Sequence, residues 1–150
     1  MRALVQRVRE ARVTCDGRIA GAIGRGILVL AGIDAADGSD DREWIVRKVT
    51  QIRIFDDESG VMNRSVRDVG GAVLAVSQFT LFASTRKGNR PSWSGAAAPA
   101  IAQPAFDALV AALARELGMP VACGVFGAHM DVALVNDGPV TIWLDSRARE

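Results

Sequence analysis

Two short segments hold the polar groups best suited to chemistry, Ser77-Gln78-Phe79-Thr80 and Gly138-Pro139-Val140-Thr141. The first sets two hydroxyls and an amide at the end of an apolar run, Ala72 to Val76, that reads as a strand. Backbone N–H groups at a strand end can lie outside the ladder. Two of them aimed at one point stabilise an oxyanion by about 3 kcal/mol each. Read alone, the same tetrapeptide also fits a strand that simply ends in a turn. In the second segment, X-Pro bonds are the usual home of cis peptides, and glycine tolerates unusual backbone angles. A cis Gly138-Pro139 bond presents its carbonyls as a rigid surface without side chains, whereas a trans bond makes an ordinary turn.

Other mechanisms lack their parts. A Ser-His-Asp triad needs a histidine beside its nucleophile, and the chain has one histidine, His129. A lone histidine is more often structural than catalytic. There is no Gly-x-Ser-x-Gly elbow, no P-loop and no Gly-x-Gly-x-x-Gly after a strand. Zinc catalysis takes two or three His or Cys ligands at short spacing, which are missing here. No metal site and no cofactor are expected. Cys15 and Cys123 form no CxxC pair, and each reads as a small buried hydrophobe. Asp56 to Gly60 lacks the ligand spacing of a calcium loop and reads as a surface turn.

The elements that must position these segments follow from periodicity. Odd positions from Ala3 to Cys15 are mostly apolar, as in a strand or bent strand pair with one face buried. Arg7 falls on that face. Either it finds fixed acceptors for its fork of donors, or a bulge turns it to solvent. Asp16-Gly17 turns the chain into a return strand over Arg18 to Ile23, and Ile27 to Ile33 reads as a central strand. Ser39 and Asp40 are N-cap candidates for a helix whose stripe is Trp44, Ile45, Val49 and Ile52. Pro99 and Pro104 frame the start of a second helix. Its core face is Phe106, Leu109, Val110, Leu113 and Leu117, and Gly118 and Pro120 stop it. Strand patterns over Val121 to Phe126, Met130 to Val135 and Val140 to Leu144 finish the chain. The expected fold is α/β: one mixed domain spanning residues 1–150, with about two main helices on a largely antiparallel sheet that curls toward a barrel.

Nearly half of the residues are apolar and about a quarter are charged, the balance of a soluble globular protein. The longest apolar run, Ile27 to Ile33, is too short to cross a bilayer, and no apolar signal segment opens the chain, so no membrane contact and a cytoplasmic location are expected. The net charge of +1 excludes a generally basic nucleic-acid binder. Contact with a phosphate backbone would have to come from the loop Thr85-Arg86-Lys87-Gly88-Asn89-Arg90, which otherwise reads as a solvated surface loop.

Taken together, the segments resemble the D-aminoacyl-tRNA deacylases almost from end to end. The likeness runs through Ala3-Leu4-Val5-Gln6-Arg7-Val8, Gly26-Ile27-Leu28-Val29-Leu30, Arg53-Ile54-Phe55 and Met62-Asn63. It continues through Val76-Ser77-Gln78-Phe79-Thr80-Leu81, Gly88-Asn89-Arg90-Pro91-Ser92 and Leu134-Val135-Asn136-Asp137-Gly138-Pro139-Val140-Thr141. The resemblance implies hydrolysis of the ester joining a D-amino acid to the terminal adenosine of tRNA. It implies a homodimer in which a cis Gly138-Pro139 of one subunit enters the active site of the other and crowds out L-amino acids. It assigns Arg7 to steadying that segment, beside Val140 and Thr141, and Phe126 and Met130 to the adenosine pocket. It also implies that the 2′-hydroxyl of the terminal ribose activates the water, while backbone near Phe79 and Thr80 supplies the donors. Glycine, with no side chain to exclude, would then be a side substrate. Two rival readings are an RNA-binding module using Arg86, Lys87 and Arg90, and a small-ester hydrolase with Thr80 as nucleophile.

Overall fold

The computed structural model describes residues 1–149. Its longest apolar alternation makes strand β1 (Arg2–Cys15), the axis of the sheet. On one side, residues 2–8 of β1 pair antiparallel with β3 (Gly26–Gly32), and residues 11–15 pair with β2 (Arg18–Ile23). On the other side runs β8 (Asp131–Asp145), also antiparallel. Beyond β3 the sheet continues in parallel through β6 (Ala72–Ser77) and β7 (Ala122–Cys123). Parallel neighbours need crossovers, and the two helices supply them. Helix α1 (Ser39–Gln51) lies between β3 and β6 in the chain, and α2 (Pro99–Leu117) lies between β6 and β7. A separate hairpin joins β4 (Phe55–Asp56) to β5 (Met62–Arg64).

The sheet curls as expected, because β2 comes back against β7. A Cβ placed on Gly21 would sit 2.6 Å from the Cys123 carbonyl oxygen, so only glycine permits this approach. The curl divides the core. Ala3, Val5, Ile27 and Val29 face the helices, meeting Ile45, Val49, Phe106, Leu109 and Leu113. Val8, Leu28, Leu74 and Val76 point into the curl. A bulge in β1 after Val8 brings Ala11 and Val13 onto the same face as Val8. The helical stripes match the periodicity, widened by Val46 and Thr50 in α1 and by Ala102 and Ala112 in α2.

Four local expectations need correction. Gly38 is the N-cap of α1 and Ser39 already lies inside the helix, because the Asp41 carboxylate accepts from the Gly38 N–H at 2.9 Å. Pro104 sits within α2, which begins at Pro99. Of the strand expected from Val121 to Phe126 only Ala122–Cys123 forms. Cys15 and Cys123 are partly buried, not fully buried, and Cys15 packs against the core in the curl of the sheet. Partial burial nevertheless pushes the Cys123 thiol above its ordinary value.

The last two expected strands are halves of one. In β8, Asn136 faces Val8 and Thr141 faces Gln6, so residues 137–140 leave the ladder opposite Arg7. The Asn136 side-chain amide spans the gap, donating to the carbonyl oxygens of Arg7 and Val140 at 2.9 Å each. Gly138-Pro139 therefore protrudes from a continuous strand.

Candidate active site

Strand β6 ends at Ser77, whose partner in β3 is Ala31. The Gln78 N–H makes the last link, to the Ala31 carbonyl at 2.7 Å, and the chain then tightens into a 3-10 turn over Phe79–Phe82. The leading N–H groups of such a turn have no acceptor within it. Among the described residues, the backbone N–H groups of Phe79 and Thr80 find no acceptor elsewhere either. Arg2 braces the turn from below. Its guanidinium donates to the Leu81 carbonyl at 3.0 Å and lies 4.5 Å from the Phe82 ring centre.

The Gln78 amide donates to the Thr80 hydroxyl, which therefore acts there as an acceptor. Among the described residues no group stands ready to take the Thr80 proton. His129 has a 95% exposed side chain, 4.0 Å from the Asp131 carboxylate, and makes no hydrogen bond to Ser77, Gln78 or Thr80.

Ser77, Gln78 and Phe79 open onto a cavity of about 530 Å³. This is the size of a small-molecule site. Its other walls are Trp93 with the chain entering α2, and Phe126 to Met130. Phe126 leans on Phe106 of α2, with ring centres 6.4 Å apart, and Met130 packs into the curl of the sheet. One chain thus brings together Ser77, Gln78, Phe79, Phe126 and Met130 from segments far apart in sequence. Thr80 follows directly but does not line the cavity.

Gly138, Pro139, Val140 and Thr141 are absent from these walls. They sit across the sheet, where Gly138 and Pro139 are exposed and the bond between them is cis. Arg7 is 8% exposed and holds this segment in place. Its Nε donates to the Asp137 carbonyl at 3.0 Å, and its Nη1 donates to the Ile54 carbonyl at 2.5 Å. The carboxylates of Asp137 and Asp56 lie 3.3 and 3.6 Å away. Of the two readings of Arg7, the one with fixed acceptors holds. Gly138 has a φ of 131°, and an added Cβ would come within 2.7 Å of a Val140 methyl.

Arg86, Lys87 and Arg90 are exposed on a hairpin closed by a Ser84–Ser92 bridge, and among the described residues none forms an ion pair. The residue that ends this hairpin, Trp93, was not singled out from sequence. It directly follows Gly88-Asn89-Arg90-Pro91-Ser92, yet nothing local announces that its indole meets Phe79 edge-to-face, with ring centres 5.4 Å apart.

A curled mixed sheet in which β6 ends in free backbone donors, beside a cavity walled by aromatic and other apolar side chains, defines a ligand pocket. A family model described as D-Tyr-tRNA(Tyr) deacylase matches residues 4–145, and the chain belongs to that family of ester hydrolases. The D-aminoacyl-tRNA deacylase of Chromobacterium violaceum is 63% identical over the full length of both chains. That of Thermomicrobium roseum is 59% identical over 97% of this chain and 94% of its own. A solved structure of the c-Myc DNA Unwinding Element Binding Protein superposes with a TM-score of 0.89 at 43% identity, covering 97% of this chain and 98% of its own. A probable eukaryotic D-amino acid tRNA deacylase shares the fold, with a TM-score of 0.82 at 16% identity over 95% and 97% of the two chains.

Proposed function

We propose that this chain hydrolyses the ester between a D-amino acid and the terminal adenosine of tRNA, in the cytoplasm where charged tRNA is used. The observation that carries this reading is the pair of unpartnered N–H groups of Phe79 and Thr80 beside the cavity, in a chain of the deacylase family. Water adds to the ester carbonyl carbon, and the oxygen charge that develops is met by these two donors. The bond from carbon to ribose oxygen then breaks, and the ribose oxygen recovers the proton that the water gives up. The products are free D-amino acid and tRNA. Proton transfer passes through the 2′-hydroxyl of the terminal ribose, since Thr80 has no base beside it. Phe126 and Met130 hold the adenosine between an aromatic face and a thioether.

Gly138-Pro139 acts on the site of a second copy, crowding the place where an L side chain would project. Support comes from its position: exposed, clamped by Arg7 and flanked by Val140 and Thr141, yet outside its own chain's cavity. A homodimer with cross-subunit sites follows. Selection by exclusion gives glycyl-tRNA no side chain to reject, so it is cleared as a side activity. Deacylation by Thr80→Ala tests the chemistry. Activity retained within about tenfold fits backbone catalysis, whereas complete loss with fold and tRNA binding intact makes the hydroxyl the nucleophile.

A further inference from the structure

Trp93 has no part in the chemistry above, and it is placed as a core residue would not be. It is 39% exposed and belongs to neither core cluster, although its backbone is fixed on both sides. Ser92 pairs with Ser84 through two 2.9 Å hydrogen bonds. The Trp93 carbonyl accepts from Ala96 at 2.9 Å, and Ala97 donates to the carbonyl of Ile33, the residue just beyond β3, at 2.8 Å. The indole lines the cavity and stands perpendicular to Phe79, with an interplanar angle of 81°. An edge-to-face contact covers at most one face of one ring, and both residues keep exposed surface beyond it, 56% for Phe79 and 39% for Trp93. The hairpin that Trp93 ends carries three exposed cations without ion-pair partners among the described residues, Arg86, Lys87 and Arg90.

An anchored aromatic face beside a free cationic loop is the arrangement that holds single-stranded nucleic acid: bases stack on the ring, and phosphates meet the cations. The proposed function already assigns the terminal adenosine to Phe126 and Met130, which line the same cavity. The polynucleotide must leave the cavity past whatever rims it. We infer that Trp93 is the stacking platform for the nucleobase preceding the terminal adenosine, with Arg86, Lys87 and Arg90 taking the phosphates of the strand as it leaves. This inference rests on the deacylase reading and adds a second base subsite to it. Trp93 is a positioning residue here, since its ring does not meet the ester.

The test compares D-aminoacyl-tRNA, the same tRNA abasic at the penultimate nucleotide, and D-aminoacyl-adenosine. Trp93→Ala should raise KM for the tRNA by on the order of tenfold with a much smaller change in kcat, the loss expected for one stacked base. Trp93→Phe should restore most of it. The abasic tRNA should reproduce the KM rise in the unaltered protein and add little to it in Trp93→Ala. An equal loss on D-aminoacyl-adenosine would place Trp93 in the terminal pocket and overturn the proposal, as would no loss on tRNA. Binding of an uncharged single-stranded oligonucleotide with the tRNA 3′ sequence, followed by anisotropy, decides the platform independently of hydrolysis. Weaker binding by Trp93→Ala supports it, and equal binding overturns it. Failure of the unaltered protein to cleave any of the esters would instead refute the deacylase reading.

Discussion

At the scale of residues, what distinguishes the proposed mechanism is how few side chains it asks to react. If the Phe79 N–H is an oxyanion donor, Phe79→Pro, which deletes it, should lower kcat by roughly a hundredfold beyond the effect of Phe79→Leu, which keeps it. Steady-state deacylation of the two variants measures the difference. Arg7 makes a different prediction. Its buried fork answers two carbonyls and lies beside two carboxylates, so Arg7→Met strands acceptors that water cannot easily reach. Stability should fall by about 2–4 kcal/mol in urea denaturation, and Arg7→Lys should recover only part, since an ammonium cannot reproduce the planar fork. Arg7 was legible in sequence as a cation on an apolar face that needed acceptors. Trp93 was not, because its contact with Phe79 depends on the hairpin closed by Ser84 and Ser92, which no local pattern announces.

At the scale of elements, the start of α1 ties the helix to the chain's end. Asp41 is held below its ordinary value first by the Gly38 N–H and then by the Ser146 hydroxyl. A depressed folded-state pKa means that this stability is present above the unfolded value, about 3.9, and is lost as pH falls through the lowered folded value. Asp41→Asn should therefore cost about 1 kcal/mol at neutral pH, the worth of a capping interaction. In paired denaturation curves the gap should shrink as pH falls below the carboxylate range. Most elements could be read from periodicity, because β3, α1 and α2 each bury a continuous stripe; in β1 the alternation holds on each side of a bulge that switches it from one core to the other. Where reading failed, long-range pairing overrode local signals. Asn136-Asp137-Gly138-Pro139 looks like a turn between strands. Yet β1 runs past it unbroken, and the Asn136 amide holds both halves of β8 to one partner. The span from Val121 to Phe126 has strand-like residues, but only Leu74 and Ala75 of β6 offer it partners.

At the scale of the whole molecule, the two segments given functional roles above lie apart in one chain and are proposed to meet in a dimer. Analytical ultracentrifugation should therefore give twice the chain mass. The sharper test mixes subunits. One carries Gly138→Ala with an intact Ser77 to Thr80, and the other carries Phe79→Pro with an intact Gly138-Pro139. If the segments meet across the interface, the one competent site in a mixed dimer keeps its preference for D substrates; a gate acting within its own chain leaves that site unselective. The central claim is chiral deacylation on a shaped backbone cavity, and the most direct measurement is a paired assay on D- and L-aminoacyl-tRNA carrying the same amino acid. The expected result is clearance of the D ester with the L ester left intact, a ratio on the order of a hundredfold or more, as about 3 kcal/mol of exclusion confers. Equal hydrolysis of both esters, or of neither, would contradict the account.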